Sequence, residues 1–374
     1  MKRMIYADNA ATTQLDHDAF EAMKPYLLAE FGNASQPYSF ARTAKKALKE
    51  ARETVAKLIG ATPEEIFFTS GGTESNNWVI KGSAFSDSQK HATITSSIEH
   101  HAILRPCADI ERMGYPVTYL PVDATGSVSA QTLLEFITND TRLVSIMMAN
   151  NEIGSIQDIP ALSSIAHSHG ALFHTDAVQA VGHVEIDVNT LGVDMLSASA
   201  HKFNGPKGIG FLYVRKNTPL AAYASGGSQE SNMRAGTENI ASIVGMAVAL
   251  EKNVSQIDKA KRHLESLENM LLQGLSNSNI VFSRNGSAER VPGNISLSFP
   301  GYDGEALLHR LDLMGICVST GSACDSKETK ISHVLEAIGL RPDLAKGTIR
   351  ISLGKHNTEQ DVHAILGALK RIMS

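Results

Sequence analysis

Through the first half of the chain, short apolar runs recur with helical stretches between them, and the runs do not alternate with polar residues. A strand with one wet face alternates, whereas a strand covered on both faces does not. Such runs are Ile66 to Thr69, His91 to Ser96, Tyr115 to Val122, Leu143 to Ala149, Ala171 to Asp176, Asp194 to Ala198 and Gly208 to Val214. Between several of them fall helices predicted at Ala102 to Met113, Ala130 to Ile137 and Ile159 to Ser168. The clearest helix is 41 to 60, where Ala44, Ala47, Leu48, Ala51 and Val55 share a face and Gly60 is placed to end it. Thr62-Pro63-Glu64-Glu65 then has capping-box spacing. The pattern predicts an α/β domain, a mostly parallel sheet layered between helices.

At 374 residues the chain is longer than one hydrophobic core usually serves. A second run of elements begins near Asn239 with consecutive helices, Ile240 to Asn253 and Ile257 to Leu275. Strands at Ile280 to Ser283, Asn294 to Phe299, Ile316 to Ser319 and Thr348 to Leu353 follow, with helices at Gly304 to Met314 and Thr358 to Ile372. This predicts a smaller α+β domain. We assign residues 15–255 to the large domain, and residues 1–14 with 256–374 to the small one, which carries a polar loop at about 320–332.

Lys plus Arg number 34 against 39 Asp plus Glu, so nothing demands a polyanion, and no direct nucleic-acid contact is expected. No stretch has membrane-spanning length, and Tyr6, Asp8 and Asn9 interrupt the basic start before an apolar segment forms. Three cysteines, Cys107, Cys317 and Cys324, make no secreted disulfide framework. A reducing cytoplasm is the expected setting, and no metal site is expected.

Three segments could carry chemistry. Ser70-Gly71-Gly72-Thr73-Glu74-Ser75 follows a strand and opens a helix, a place where amides and the Thr73 hydroxyl suit a phosphate. It reads equally as a tight strand–helix connection. Lys202, in Ser199-Ala200-His201-Lys202, follows a strand and precedes Gly205-Pro206-Lys207-Gly208. Desolvation there would favour a nucleophilic amine for a Schiff base, although many such lysines are simply exposed. Asp176 ends an apolar strand, where it suits a pyridine nitrogen or a helix N-cap. Together a phosphate cradle, a carboxylate and an amine are the anchors that pyridoxal phosphate needs, each at the C-terminal end of a different predicted strand.

With these segments in place the chain resembles the cysteine desulfurases of the IscS/NifS type, in the class V branch of fold-type-I pyridoxal-phosphate enzymes. The resemblance runs from Tyr6-Ala7-Asp8-Asn9-Ala10-Ala11-Thr12-Thr13 through Thr69 to Asn76, Glu99-His100, Asn150-Asn151-Glu152-Ile153-Gly154 and Asp176 to Gln179. It continues through Ser199 to Gly210, Arg234-Ala235-Gly236-Thr237, Gly321-Ser322-Ala323-Cys324 and Ile349 to Gly354. The resemblance implies that Lys202 holds the cofactor covalently and moves the substrate α-proton. Asp176 would meet the pyridine nitrogen and Gln179 the phenolic oxygen. His100 would stack on the ring as acid/base, and Asn151 would contact cofactor or substrate. Gly72, Thr73, Ser199 and His201 would hold phosphate, joined by Thr237 from a second subunit of a homodimer. Arg350 would grip the carboxylate of L-cysteine.

Cys324 would accept the sulfur as a persulfide and pass it to an acceptor protein. That acceptor could be an iron–sulfur scaffold, a tRNA-thiolation protein or a DNA-phosphorothioation component. Independently, its setting among Thr320, Ser322, Asp325, Ser326, Lys327 and Glu328 reads as an exposed loop. Cys107 and Cys317 read as buried small hydrophobes. Where relatives carry small or hydroxyl residues after this cysteine, the chain has Asp325. A neighbouring carboxylate disfavours a thiolate, and Lys327 and Lys330 favour it. A selenocysteine lyase would use much the same groups. A class V aminotransferase would give Cys324 no work, and a pure scaffold would bind partners without forming alanine.

Overall fold

In the computed structural model, residues 4–86, 89–321 and 331–373 are described. The main sheet has seven strands: β2 (Ile66–Thr69), β3 (Ala92–Ser96), β4 (Val117–Leu120), β5 (Thr141–Ser145), β6 (Leu172–Asp176), β7 (Met195–Ser199) and β8 (Gly210–Val214). They follow β1 (Ile5–Tyr6) in the chain. Their spatial order is β2-β8-β7-β6-β5-β3-β4, and only β8 runs against its neighbours. Strands β2, β7 and β8 are buried at every position, which is why their apolar runs do not alternate. At the edge, β4 has three of its four residues outside the buried class, as an uncovered margin allows.

The second unit is an antiparallel sheet, β12-β10-β9, made of β9 (Ser283–Arg284), β10 (Asn294–Ser298) and β12 (Thr348–Ser352). A short parallel pair joins β1 to β11 (Ile316–Cys317). One apolar cluster runs from Ala19 to Val291, and another combines Ala7 with residues from Leu264 to Ile372.

Helix α1 (His17–Leu28) has no counterpart in the expected elements, because its apolar face is weak and Pro25 interrupts it. Helices α2 (Arg42–Leu58) and α3 (Gly72–Ala84) follow, and α4 (His101–Arg112) precedes β4. The expected capping box is present, with the Thr62 N–H donating to the Glu65 carboxylate at 2.9 Å. The strand expected at 143 to 149 ends instead at Ser145. Beyond it the Ile146 and Met148 amides still bond the carbonyls of His174 and Asp176, while Asn150 turns the chain away. The strand expected at 280 to 283 is displaced to Ser283–Arg284, since only those residues pair with β10.

A strap formed by the N-terminal segment binds the two units. The Ala7 amide bonds the Cys317 carbonyl, Asn9 bonds Ser352, Thr13 bonds His201, and Asp16 bonds Asn204. Asp16 also caps α1 through the Asp18 amide, and its carboxylate meets Lys252 Nζ at 2.9 Å and Lys355 Nζ at 3.1 Å. Those hydrogen bonds outweigh the desolvation that opposes them and hold the Asp16 carboxyl down at about 2. A carboxyl whose pKa is lower folded than unfolded stabilises fully above the unfolded value and stops doing so as pH falls through the folded one. Asp16→Asn keeps the cap and loses the charge. It should cost about 2 kcal/mol near neutral pH. In denaturant melts the gap to the native chain should close between about pH 4 and pH 2; a gap independent of pH would show that the charge contributes nothing.

Candidate active site

β2, β6 and β7 run the same way, so their carboxyl ends share one edge of the sheet. There β2 turns through Ser70 and Gly71 into α3, β6 stops at Asp176, and β7 passes into a short turn, Ala200–Lys202. A cleft of about 550 Å³ opens at this edge, bordered on its far side by Ser319, Gly321 and Arg350. It is large enough for a small cofactor and substrate together.

Gly71 has a φ of 141°, which residues with side chains rarely adopt. A Cβ on Gly72 would lie 2.5 Å from Val178 Cγ2, and one on Gly71 would lie 3.2 Å from Ser199 Oγ. The turn therefore stays open because it has no side chains. The first amides of α3 lie outside the helix's own hydrogen-bond ladder, and Thr73, Ser199 and His201 line the same cleft. His201 Nδ1 is 3.1 Å from Thr12 Oγ1. Burial, then the charges of Lys202 and Lys207, hold that ring down at about 4, so it is neutral at pH 7. The donor set suits a phosphate.

Asp176 is buried, with Asn76 Nδ2 donating to Oδ2 at 2.6 Å and the Val178 amide to Oδ1 at 3.0 Å. It thus shapes the turn after β6 and also faces the cleft. Asn76 Oδ1 is buried without a partner among the described residues. Below Asp176 on the same strand, His174 is held between Ser145 and Ser197, and burial pushes it down to about 3.

Lys202 Nζ donates to the carbonyls of Ala10 at 2.7 Å and Ala11 at 2.8 Å. Its own carbonyl accepts from His183 Nε2 at 2.9 Å, so this lysine is held in place from both ends. His100 caps α4: its Nδ1 accepts from the Ala102 amide at 3.0 Å, which leaves Nε2 to carry the proton of the neutral ring. Burial lowers the His100 pKa, and Lys202 adds to this while Asp176 opposes it. Gln179 donates to the Ala10 carbonyl at 2.9 Å. Arg350 donates through Nη1 to the Asn151 carbonyl at 2.8 Å and through Nη2 to Asp8 at 2.7 Å. Its buried Nε has no partner among the described residues.

Of the residues expected in the site, Gly72, Thr73, His100, Asn151, Asp176, Gln179, Ser199, His201, Lys202 and Arg350 all line this one cleft. Thr237 does not: it is exposed and outside the cleft of its own chain. Cys324 and its charged neighbours lie outside the described residues. Cys107 is fully buried, and burial pushes its thiol up to about 12. Cys317 is not the buried hydrophobe expected. It is only half-buried, because β11 is two residues long and its sulfur lies beside Met4.

Sequence reasoning assigned no role to Asp8, Asn76, Glu99 or Glu152. Glu99 is wholly buried, with Oε1 accepting from Ser96 Oγ at 2.6 Å and the Met147 amide at 2.8 Å. Burial pushes it up to about 8, and Asp176 adds to this, so Glu99 is mainly neutral at pH 7. Glu152 is likewise buried and pushed up to about 7. Asp8 sits in a segment the resemblance already marked, but no spacing signals that it reaches Arg350.

A match to the aminotransferase class-V family spans residues 5–365. A curated relative, cysteine desulfurase IscS of Dictyoglomus turgidum, is 49% identical over all of this chain and 95% of its own. A solved NifS-like protein is 39% identical with a TM-score of 0.93, covering 99% of both chains. A solved structure of SspA in complex with cysteine is 38% identical with a TM-score of 0.85, covering 95% of this chain and 100% of that one.

Proposed function

Because the chain belongs to the aminotransferase class-V family, among the IscS and NifS cysteine desulfurases, we propose that it converts L-cysteine to L-alanine and delivers the sulfur to Cys324. The observation that carries this reading is the convergence of Lys202, Asp176, the Gly71–Thr73 turn and Arg350 on one cleft. Amine, buried carboxylate, open glycine turn and guanidinium are the groups that pyridoxal phosphate and an amino acid require. This family's cofactor supplies, when bound, an aldehyde for an amine and a ring that draws electron density from the substrate's α-carbon.

The chain's own residues do the rest. The first amides of α3, with Thr73, Ser199 and His201, hold the phosphate, and Asp176 faces the ring nitrogen. Gln179 faces the phenolic oxygen, and Asn151 contacts cofactor or substrate. Lys202 provides the anchoring amine and moves the proton at the substrate's α-carbon. His100 stacks on the ring and offers its Nε2 proton. Arg350, which lines the cleft, binds the substrate carboxylate. The thiolate of Cys324 attacks the substrate sulfur: an S–S bond forms as the Cβ–S bond breaks. Sulfur is oxidised to the sulfane level while the carbon skeleton is reduced to alanine, so no outside redox agent is needed.

The persulfide then passes to an acceptor protein of iron–sulfur assembly or thiolation. Among the described residues no helix is long and apolar enough to cross a membrane. We assign the reaction to the cytoplasm, where a working thiol stays reduced.

Purified protein loaded with pyridoxal phosphate should form alanine and persulfide in equal amounts from cysteine. Lys202→Ala should lower alanine formation by at least about a thousandfold, as loss of a covalent acid/base group does. Alanine from selenocysteine but none from cysteine would mark a lyase instead, and undiminished activity in Lys202→Ala would refute the assignment.

Thr237 is exposed in its own chain, yet Arg234 three residues earlier is tied to Glu74 of the cradle helix at 2.9 Å. These observations support a homodimer in which the partner subunit's Thr237 completes the phosphate site. Lys202→Ala and Thr237→Ala chains, each impaired alone, should regain activity as mixed dimers. No recovery in verified mixed dimers would exclude a shared site.

A further inference from the structure

Glu152 is a buried acid, and the mechanism above does not use it. It follows β5 in a tight turn where Asn150 Oδ1 accepts from the amides of Glu152 at 2.8 Å and Ile153 at 3.0 Å. Asn150 Nδ2 donates in turn to the Ile98 carbonyl at 3.0 Å, so the backbone carrying this acid is fixed to the turn that follows β3.

Its side chain faces the small unit. Ser332 Oγ donates to Glu152 Oε2 at 2.5 Å and accepts from the Val334 amide at 3.1 Å, capping the helix His333–Ala337. Val334 and Leu335 of that helix pack on Ile98, Met147 and Ile153. The same oxygen, Oε2, lies against Gly321, where any Cβ would overlap it and would also stand 3.3 Å from Ser332 Cβ. Gly321 in turn lies two residues beyond Ser319, whose backbone pairs with that of Arg350 at 3.0 and 2.7 Å. Arg350 closes the circuit by donating to the carbonyl of Asn151, next to Glu152. One carboxyl oxygen therefore touches the chain on both sides of the segment that contains Cys324.

We infer that Glu152 is a positioning residue for sulfur transfer, holding the stems at Gly321 and Ser332 together beside Arg350. The inference rests on the proposed role of Cys324. Packing alone would not call for an acid here, because burying a carboxyl is costly unless it has a partner. Joining the two stems fixes Gly321 and Ser332 relative to Arg350, and a misplacement near 1 Å at a reacting group can cost about a hundredfold in rate. The charged group that acts on Glu152 is Arg350 on β12, and the hydroxyl of Ser332 is its other polar neighbour. Substrate binding uses Arg350 and the cofactor groups, so it should be separable from this tie.

The test uses cofactor-loaded enzyme and two readouts: the cysteine concentration that half-saturates the absorbance change, and the rate of persulfide formation on Cys324. Glu152→Ala should slow persulfide formation about tenfold or more, with half-saturation within about twofold of the native value. Glu152→Gln, whose amide oxygen still accepts from Ser332, should recover to within about threefold. Ser332→Ala should be slowed like Glu152→Ala, and the double variant no further than either. A native rate in Glu152→Ala, multiplying effects in the double variant, or half-saturation that worsens in step with rate would each overturn the inference. If Glu152→Ala fails to fold, Ser332→Ala with Glu152→Gln decides it by the same criteria. A Cys324→Ser enzyme that still passes sulfur would remove the reading beneath it as well, which separates the two failures.

Discussion

Two carbonyl oxygens, of Ala10 and Ala11, accept hydrogen bonds from Lys202 Nζ, and the rest of the site is arranged around that clamp. A parallel sheet presents its strand ends but cannot cover them. Here the strap from Ile5 to Asp16 leaves β11, crosses that edge and reaches α1. On its way Asp8 meets Arg350, Ala10 and Ala11 meet Lys202, and Thr12 and Thr13 meet His201. Arg350, Lys202 and His201, for which we propose the substrate carboxylate, the anchoring amine and the phosphate, are thus set by one stretch of backbone. Each hydrogen bond is worth only about 1 kcal/mol net, but they share one strap and position one another.

Charge within the site is kept low by burial. Glu99, behind Asp176, is mainly neutral at pH 7, and so is His201 beside the glycine turn. His174 is neutral too, held between two serines. Asp176 at the end of β6 and Lys202 after β7 thus face the cleft among neutral neighbours, with Arg350 on its far side. A low-dielectric surround strengthens what charge remains.

The sheet was largely legible in the sequence, because strands buried on both faces announce themselves as unalternated apolar runs. What escaped was irregular or local. Helix α1 has a weak apolar face, and the run after Ser145 is apolar and continues to bond β6 without forming a regular strand. Lys202, Asp176 and the Gly71–Gly72 turn were legible because each sits at or just beyond the end of a strand, where the fold class places ligands. Asp8 and Glu152 were not, since their partners Arg350 and Ser332 are remote in sequence and no local pattern encodes the pairing. Cys317 was not, because the run Ile316 to Ser319 reads as a full buried strand, whereas only Ile316 and Cys317 pair.

The central claim is that sulfur leaves the cleft on Cys324. Cys107 is sealed in the core on the buried face of α4, and Cys317 is half-buried in the short β1–β11 pair. The most direct measurement is peptide mass spectrometry after one turnover with cysteine labelled at sulfur, quenched before any acceptor is added. Label on the Cys324 peptide, matched by one alanine per site, is the expected result. Label first appearing on Cys107 or Cys317, with Cys324 unlabelled, would contradict it.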